Sequence, residues 1–284
     1  MSRSELVTLV LMLASGVALW LLAAGALPWL GLSLLLFSLV WLVSLPLRDA
    51  SIVDIWWGPA QAALLMLSVA ISPAVVTLGG WLVLLAVVVW AVRLAAHIAW
   101  RSHGQPEDFR YRKWREDWGQ SFWWQSWLRV FVLQGVLTWM VAAPYYLAVH
   151  AGGPPTGLWL WLGLGIWLIG FLFEAIGDWQ LLRFKANPTN KGRVLDSGLW
   201  GWTRHPNYFG EALLWWGLFI AVVPVVSPWW VLAPLLMTWL LMKVSGVALL
   251  EDGLTRRRSG YSDYQQRVPA FVPLPPAWQR AERR

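Results

Sequence analysis

The chain contains no cysteine, which excludes both a disulfide framework and a thiolate metal site. Charge is scarce too. Only 13% of its 284 residues are Asp, Glu, Lys or Arg, against roughly 25% in a soluble domain. The four histidines are scattered and form no His-Glu-x-x-His pair, so no zinc-ligand spacing is readable. No repeat of fixed period is visible and no long linker divides the chain, which reads as one integral domain over residues 1–284. The opening Met-Ser-Arg-Ser-Glu is too short and too acidic a charged region for a cleaved signal. No small-residue cleavage site follows the first apolar run, so that run is expected to remain as a helix.

What the chain has in excess is apolar surface. Hydrophobic residues make up 58%, 26 tryptophans are present, and the mean hydropathy is +0.54. An all-α, polytopic transmembrane bundle follows. Apolar runs at about 6–25, 28–47, 55–72, 75–98, 127–149, 157–182, 208–225 and 228–250 each approach the ~20 residues that a spanning helix needs. Seven to eight spans are expected. The net charge of +7 would suggest nucleic acid in a soluble protein. Here Arg and Lys gather in short loops, where positive-inside asymmetry and anionic headgroups account for them. The connections at 25–28, 72–78, 149–157 and 224–228 carry no Lys or Arg. With eight spans every basic loop falls on one side, so both termini are expected in the cytoplasm. Residues 274–284 read as an exposed tail.

Polar residues beside lipid are expensive and commonly functional. The basic, glycine- and proline-marked segment 183–217 stands between two apolar runs and is the strongest candidate. Arg204, His205, Asn207, Tyr208 and Glu211 fall at the entry to the next run. Asn207 and Glu211 are four apart and share one helical face, and Pro206 suits a first turn. Glu174 and Asp178 are likewise four apart; two acids so placed need cationic or hydroxyl partners, which Arg183, Lys185 or a ribose would supply. Arg93, His97 and Arg101 form one stripe able to hold phosphate or carboxylate. Asp54 either caps a helix or stands as a buried acid. Glu107, Asp108, Arg110 and Tyr111 read as salt bridges on a solvated loop. Glu251-Asp252, Tyr261, Tyr264, Arg267 and Pro273 read as an amphipathic tail helix capping a cavity open to the cytoplasm, and His103 and His150 as surface or interface residues.

The stretch Trp-Thr-Arg-His-Pro-Asn-Tyr-Phe-Gly-Glu at 202–211, followed by Glu251-Asp252, Tyr261, Tyr264 and Pro273, resembles the carboxy-terminal half of the steroid 5-alpha-reductase-like membrane proteins. Asp54 with Trp57-Gly58, the Arg93–His97–Arg101 stripe and residues 107–111 resemble a bacterial branch of that family. The resemblance covers about 50–273. It implies a helical bundle in the bacterial inner membrane that binds NADPH and reduces a carbon–carbon double bond in an enone-like lipid or steroid. By match, Asp178, Arg183, Asn207, Tyr208 and Glu211 would hold the cofactor, joined by Arg93, Arg101, Lys185, Asn190, Arg204 and His205. Arg258 and Tyr261 match tail positions that close over the nucleotide.

The acid departs from the family pattern. The steroid enzymes polarise the ketone with a Glu–Tyr pair, whereas here Asp54 is the nearest acid and Trp90 occupies the tyrosine position. An indole donates its N–H but is no proton source. The catalytic set expected from the resemblance is Asp54, Trp90 and His97, with a protonated Asp54 donating to the charge that develops on the carbonyl oxygen. Membrane methyltransferases using S-adenosylmethionine share the Arg-His-Pro-x-Tyr signature, and Glu251-Asp252 would pass for their paired acids. A lipid carrier or scaffold without catalysis is the third reading, disfavoured because no inverted symmetry is visible.

Overall fold

Lipid offers the backbone no hydrogen-bond partners, so apolar runs of this length pair their own N–H and C=O groups as helices. The computed structural model describes residues 27–244 and 260–275, which contain helices, turns and no strand. Among the described residues six helices are long and apolar enough to cross a membrane. The protein is a polytopic helical membrane protein. The apolar run at 6–25 lies outside the described residues. The run expected at 228–250 is described only as the shorter apolar helix Pro228–Val244.

In chain order the helices are α1 (Leu27–Leu47), α2 (Ile52–Ala70), α3 (Leu78–Ser102), α4 (Phe109–Trp118), α5 (Phe122–Ser126), α6 (Leu133–His150), α7 (Leu158–Ala186), α8 (Pro206–Val222), α9 (Leu232–Trp239) and α10 (Tyr261–Arg267). The span expected at 127–149 begins much earlier, because α4 and α5 run through a π-helical stretch, Trp127–Val132, into α6. The span expected at 75–98 runs on to Ser102 as α3 and so keeps Arg101 on the same helix as His97. Thr77 caps α3 by accepting from the Gly80 N–H, and Asp108 caps α4 by accepting from the Arg110 N–H.

The described residues divide into two compact units, 27–157 with 222–233, and 158–221 with 234–275. In the first, α2 and α3 touch backbone to backbone where Gly58 faces Ala91: a Cβ at Gly58 would stand 3.0 Å from the Ala91 Cα. Ser33 on α1 donates to the Gly135 carbonyl on α6 at 2.8 Å. Trp29 packs on Tyr146 with ring centroids 4.9 Å apart.

In the second unit, α7 carries Gly163, Gly170 and Gly177 at seven-residue spacing, and α8 carries Gly210 and Gly217. The two rows interlock. A Cβ at Gly163 would collide with the backbone of Ala221 and Gly217, one at Gly170 with Leu214 and Gly210, and one at Gly210 with Glu174 and Gly170. Small residues let helix backbones approach, and close approach replaces the hydrophobic drive that lipid cannot provide. The pairings run in opposite directions along the two helices, so α7 and α8 are antiparallel. Glu174 is thereby set level with Gly210, and Gly177 level with Pro206 and Asn207.

Candidate functional site

Two polar clusters emerge, one in each unit. In the second unit, Asp178 and Glu174 on α7 and Asn207 and Glu211 on α8 lie at two successive levels, or rungs, of the glycine contacts. The Asn207 Nδ2 donates to Asp178 Oδ1 at 3.0 Å. Asp178, Glu174 and Glu211 are all buried. The Asn207 Oδ1 is also buried and has no hydrogen-bond partner among the described residues. His205 is buried and its ring stacks on Tyr208, with centroids 5.7 Å apart. Among the described residues no group of three His, Asp or Glu forms a metal-holding cluster.

The remaining residues of segment 183–217 bind the chain to itself. Arg204 donates from Nη1 to the carbonyls of Gln265 and Val268, at 2.9 and 2.6 Å. Those carbonyls belong to the C-terminal end of α10 and the residue after it, where a guanidinium satisfies groups that the helix leaves open. Thr203 donates to Phe271 O at 2.8 Å, and the Tyr264 hydroxyl to Trp200 O at 2.6 Å. Asn190 closes its loop on Phe184 O at 2.9 Å. Arg183 and Lys185 are exposed in the last turn of α7, Arg183 over the Trp179 ring. Tyr261 is buried against Tyr264, and Arg258 lies outside the described residues. Arg204→Met is expected to cost about 2 kcal/mol, the range of hydrogen bonds made by a charged donor. Limited proteolysis should then cut first within 260–275.

In the first unit the acid expected as a catalytic donor is an acceptor. Asp54 lies in the first turn of α2, whose N-cap is Ser51, so it is not the cap. Its Oδ1 accepts from the Tyr111 hydroxyl at 2.6 Å and its Oδ2 from Arg110 Nη2 at 2.7 Å. Arg110 also donates from Nε to Asp108 at 2.9 Å. Next to it, Arg115 grips Glu107 through two nitrogens, and Glu107 Oε1 accepts from the Ala50 N–H at 2.8 Å. Burial pushes Asp108 up, but the hydrogen bonds and charge of Arg110, with the Arg101 charge, outweigh it and hold its carboxyl below the usual 3.8. Residues 107–111, read from sequence as salt bridges on a solvated loop, thus form with Arg115 a partly buried network that ties the start of α4 to the start of α2. Trp90 is fully buried. Arg93 and His97 are half-buried and Arg101 is exposed on the same helix. His103 is exposed, while the His150 Nδ1 approaches Ser68 O at 3.4 Å.

Sequence reading missed the glycine rows, although their seven-residue spacing is plain in 163–177 and 210–217. It also missed Trp200, which donates to Gly177 O at 3.0 Å, near Gln180, which accepts from the Leu199 N–H at 3.0 Å.

Fold and cluster together define a polytopic membrane protein with a buried acid–amide group between two glycine-packed helices. The chain belongs to the DUF1295 family, described as proteins of unknown function, which it matches over residues 40–268. It is similar to the uncharacterized protein C594.04c of Schizosaccharomyces pombe, at 24% identity over 277 residues, covering 85% of this chain and 78% of that protein. No solved structure matches.

Proposed function

We propose that the chain is a membrane-embedded reductase that uses NADPH to reduce a carbon–carbon double bond in an enone-like lipid. The observation that carries this is the rung of Asp178 and Asn207. The amide commits its N–H to the carboxylate and leaves its oxygen buried without a partner among the described residues. Such a pair suits a ligand group that both donates and accepts, which ribose hydroxyls and a carboxamide do. The resemblance of 202–211 to the steroid 5-alpha-reductase-like proteins supports the same assignment. NADPH, when bound, supplies the hydride.

The chain's own part is positioning and screening. Asp178 and Asn207 orient hydroxyl or amide groups of the nucleotide, with Glu174 and Glu211 one rung deeper between the same helices. The exposed Arg183 and Lys185 suit its phosphates. Close glycine packing along α7 and α8 keeps water from these carboxylates, where hydrogen bonds gain strength.

The test is a thermal-shift titration of the purified full chain with NADPH, NADH and S-adenosylmethionine in parallel. A ligand at about a hundred times its dissociation constant adds roughly 2.7 kcal/mol. NADPH is expected to stabilise the chain, and Asn207→Leu or Glu211→Ala to remove the shift. A response to S-adenosylmethionine alone would move the protein to the methyltransferases. Silence from all three would favour a carrier or scaffold.

A further inference from the structure

Gln61 on α2 has no exposed surface, and neither its amide nitrogen nor its amide oxygen has a hydrogen-bond partner among the described residues. The Thr138 hydroxyl on α6 is equally buried and equally unpartnered there. A carboxamide unpaired in an apolar interior is costly, because it has given up water for nothing.

The placement of Gln61 follows a pattern. Asp54, Gln61 and Ser68 stand seven residues apart and so form one stripe of α2. Both ends of that stripe meet the stretch running from α4 into α6: Asp54 receives the Tyr111 hydroxyl, and the Ser68 carbonyl meets His150. The helices α2 and α6 therefore run parallel with Ser68 level with His150. Counting back at 1.5 Å per residue sets Gln61 between the levels of Thr138 and Tyr145. Helical side chains lean toward their N-terminus, which carries the Gln61 amide toward Thr138. The same helices bury Leu64, Leu65, Val141 and Ala142 completely, along with Tyr145 and Tyr146.

We infer that this interior receives the single carbonyl or hydroxyl of an otherwise apolar, membrane-dissolved molecule. Gln61 recognises the oxygen, because a carboxamide presents two donors and an acceptor to a group of either kind. Thr138 is the neighbouring polar contact, and the aliphatic residues of α2 and α6 accept the rest of the molecule. Asp54 on the same stripe is already engaged by Arg110 and Tyr111, which leaves Gln61 as the recognising group. The inference concerns the first unit alone and does not rest on the nucleotide reading of the second.

The test uses a long-chain alkyl ketone with a diazirine beside the carbonyl, and a diazirine hydrocarbon of equal length without the oxygen. Each is photolysed with the full chain in lipid nanodiscs, and the labelled peptides are mapped by mass spectrometry. The ketone is expected to label residues 57–65 and 134–142 roughly tenfold or more above the hydrocarbon, since a site built for hydrogen bonding rejects the analogue that lacks the polar group. Gln61→Leu should abolish that preference. Thr138→Val removes one hydroxyl at nearly constant volume and should reduce it, which keeps the test open if Gln61→Leu fails to fold. Equal labelling by the two probes overturns the inference, as does a preference that survives Gln61→Leu. Labelling by neither probe above the lipid background also overturns it.

Discussion

Gly170→Ala is expected to destabilise the protein by about 3 kcal/mol or more, while Gly165→Ala, five residues earlier on the same helix, should be neutral or stabilising by up to about 1 kcal/mol. The substitution is the same and the sign is opposite. A Cβ at Gly170 would stand 2.5 Å from the Leu214 nitrogen and 2.6 Å from the Gly210 oxygen, whereas one at Gly165 meets nothing within 4 Å. The obstacles at Gly170 are backbone atoms of α8, which no rotamer change can move aside. The two helices would have to separate, and with them the rung of Asp178 and Asn207. At Gly165 the methyl group only removes the conformational freedom that glycine retains in the unfolded chain. Unfolding in mixed detergent micelles, followed by circular dichroism, measures both. Equal shifts in the two variants would mean that close backbone approach is not what holds α7 to α8.

Arg110→Met is the second large effect, at roughly 2–3 kcal/mol. Removing one partner of a buried ion pair costs about 3–5 kcal/mol because the other charge is stranded. Arg110 and Asp54 retain 29% and 25% of their side-chain exposure, so solvent screens part of the loss. Met keeps the length and apolar stem of Arg, which isolates the guanidinium. Tyr111→Phe, which removes the other donor to Asp54 and the hydroxyl's contact with Gln134, should cost about 1.5 kcal/mol. Combining Arg110→Met with Asp54→Asn should recover part of the loss, since the carboxylate at position 54 is then no longer stranded, while Asp108 keeps only the Arg110 backbone N–H. An Arg110→Met shift below about 0.5 kcal/mol, the size usual for surface positions, would show that residues 107–111 are the solvated loop that their charges suggest.

That loop shows where sequence reading stops. Glu107 and Asp108 are followed within nine residues by Arg110, Arg112, Lys113 and Arg115, a mixture of charge that solvated surfaces share. Nothing local says that Asp54 and Ala50, more than fifty residues away, supply the other half of the network. Arg204 is a second case. Its neighbourhood in 202–211 points to ligand binding, yet its guanidinium is taken by the carbonyls of Gln265 and Val268. A basic residue near a proposed cofactor site and a basic residue closing a helix end look identical in sequence. Asp178 and Asn207, by contrast, were both legible as candidates. Each is a polar group beside an apolar run, and the structure brings them within 3.0 Å.

By itself the sequence determined that this is a polytopic helical membrane protein. Its apolar runs are long enough to span and too poor in charge to face water, and such runs have no fold open to them in lipid but the helix. It also marked the polar residues that lipid makes expensive. Only the tertiary structure decided which of them face one another. Helix periodicity assigns a residue to a face, but the partner helix and its vertical register depend on packing between distant segments. In α7 and α8 that register is set by interlocked glycines, and it decides that Asp178 meets Asn207. On α2 it leaves Gln61 buried between Asp54 and Ser68, on a stripe whose two ends are already engaged.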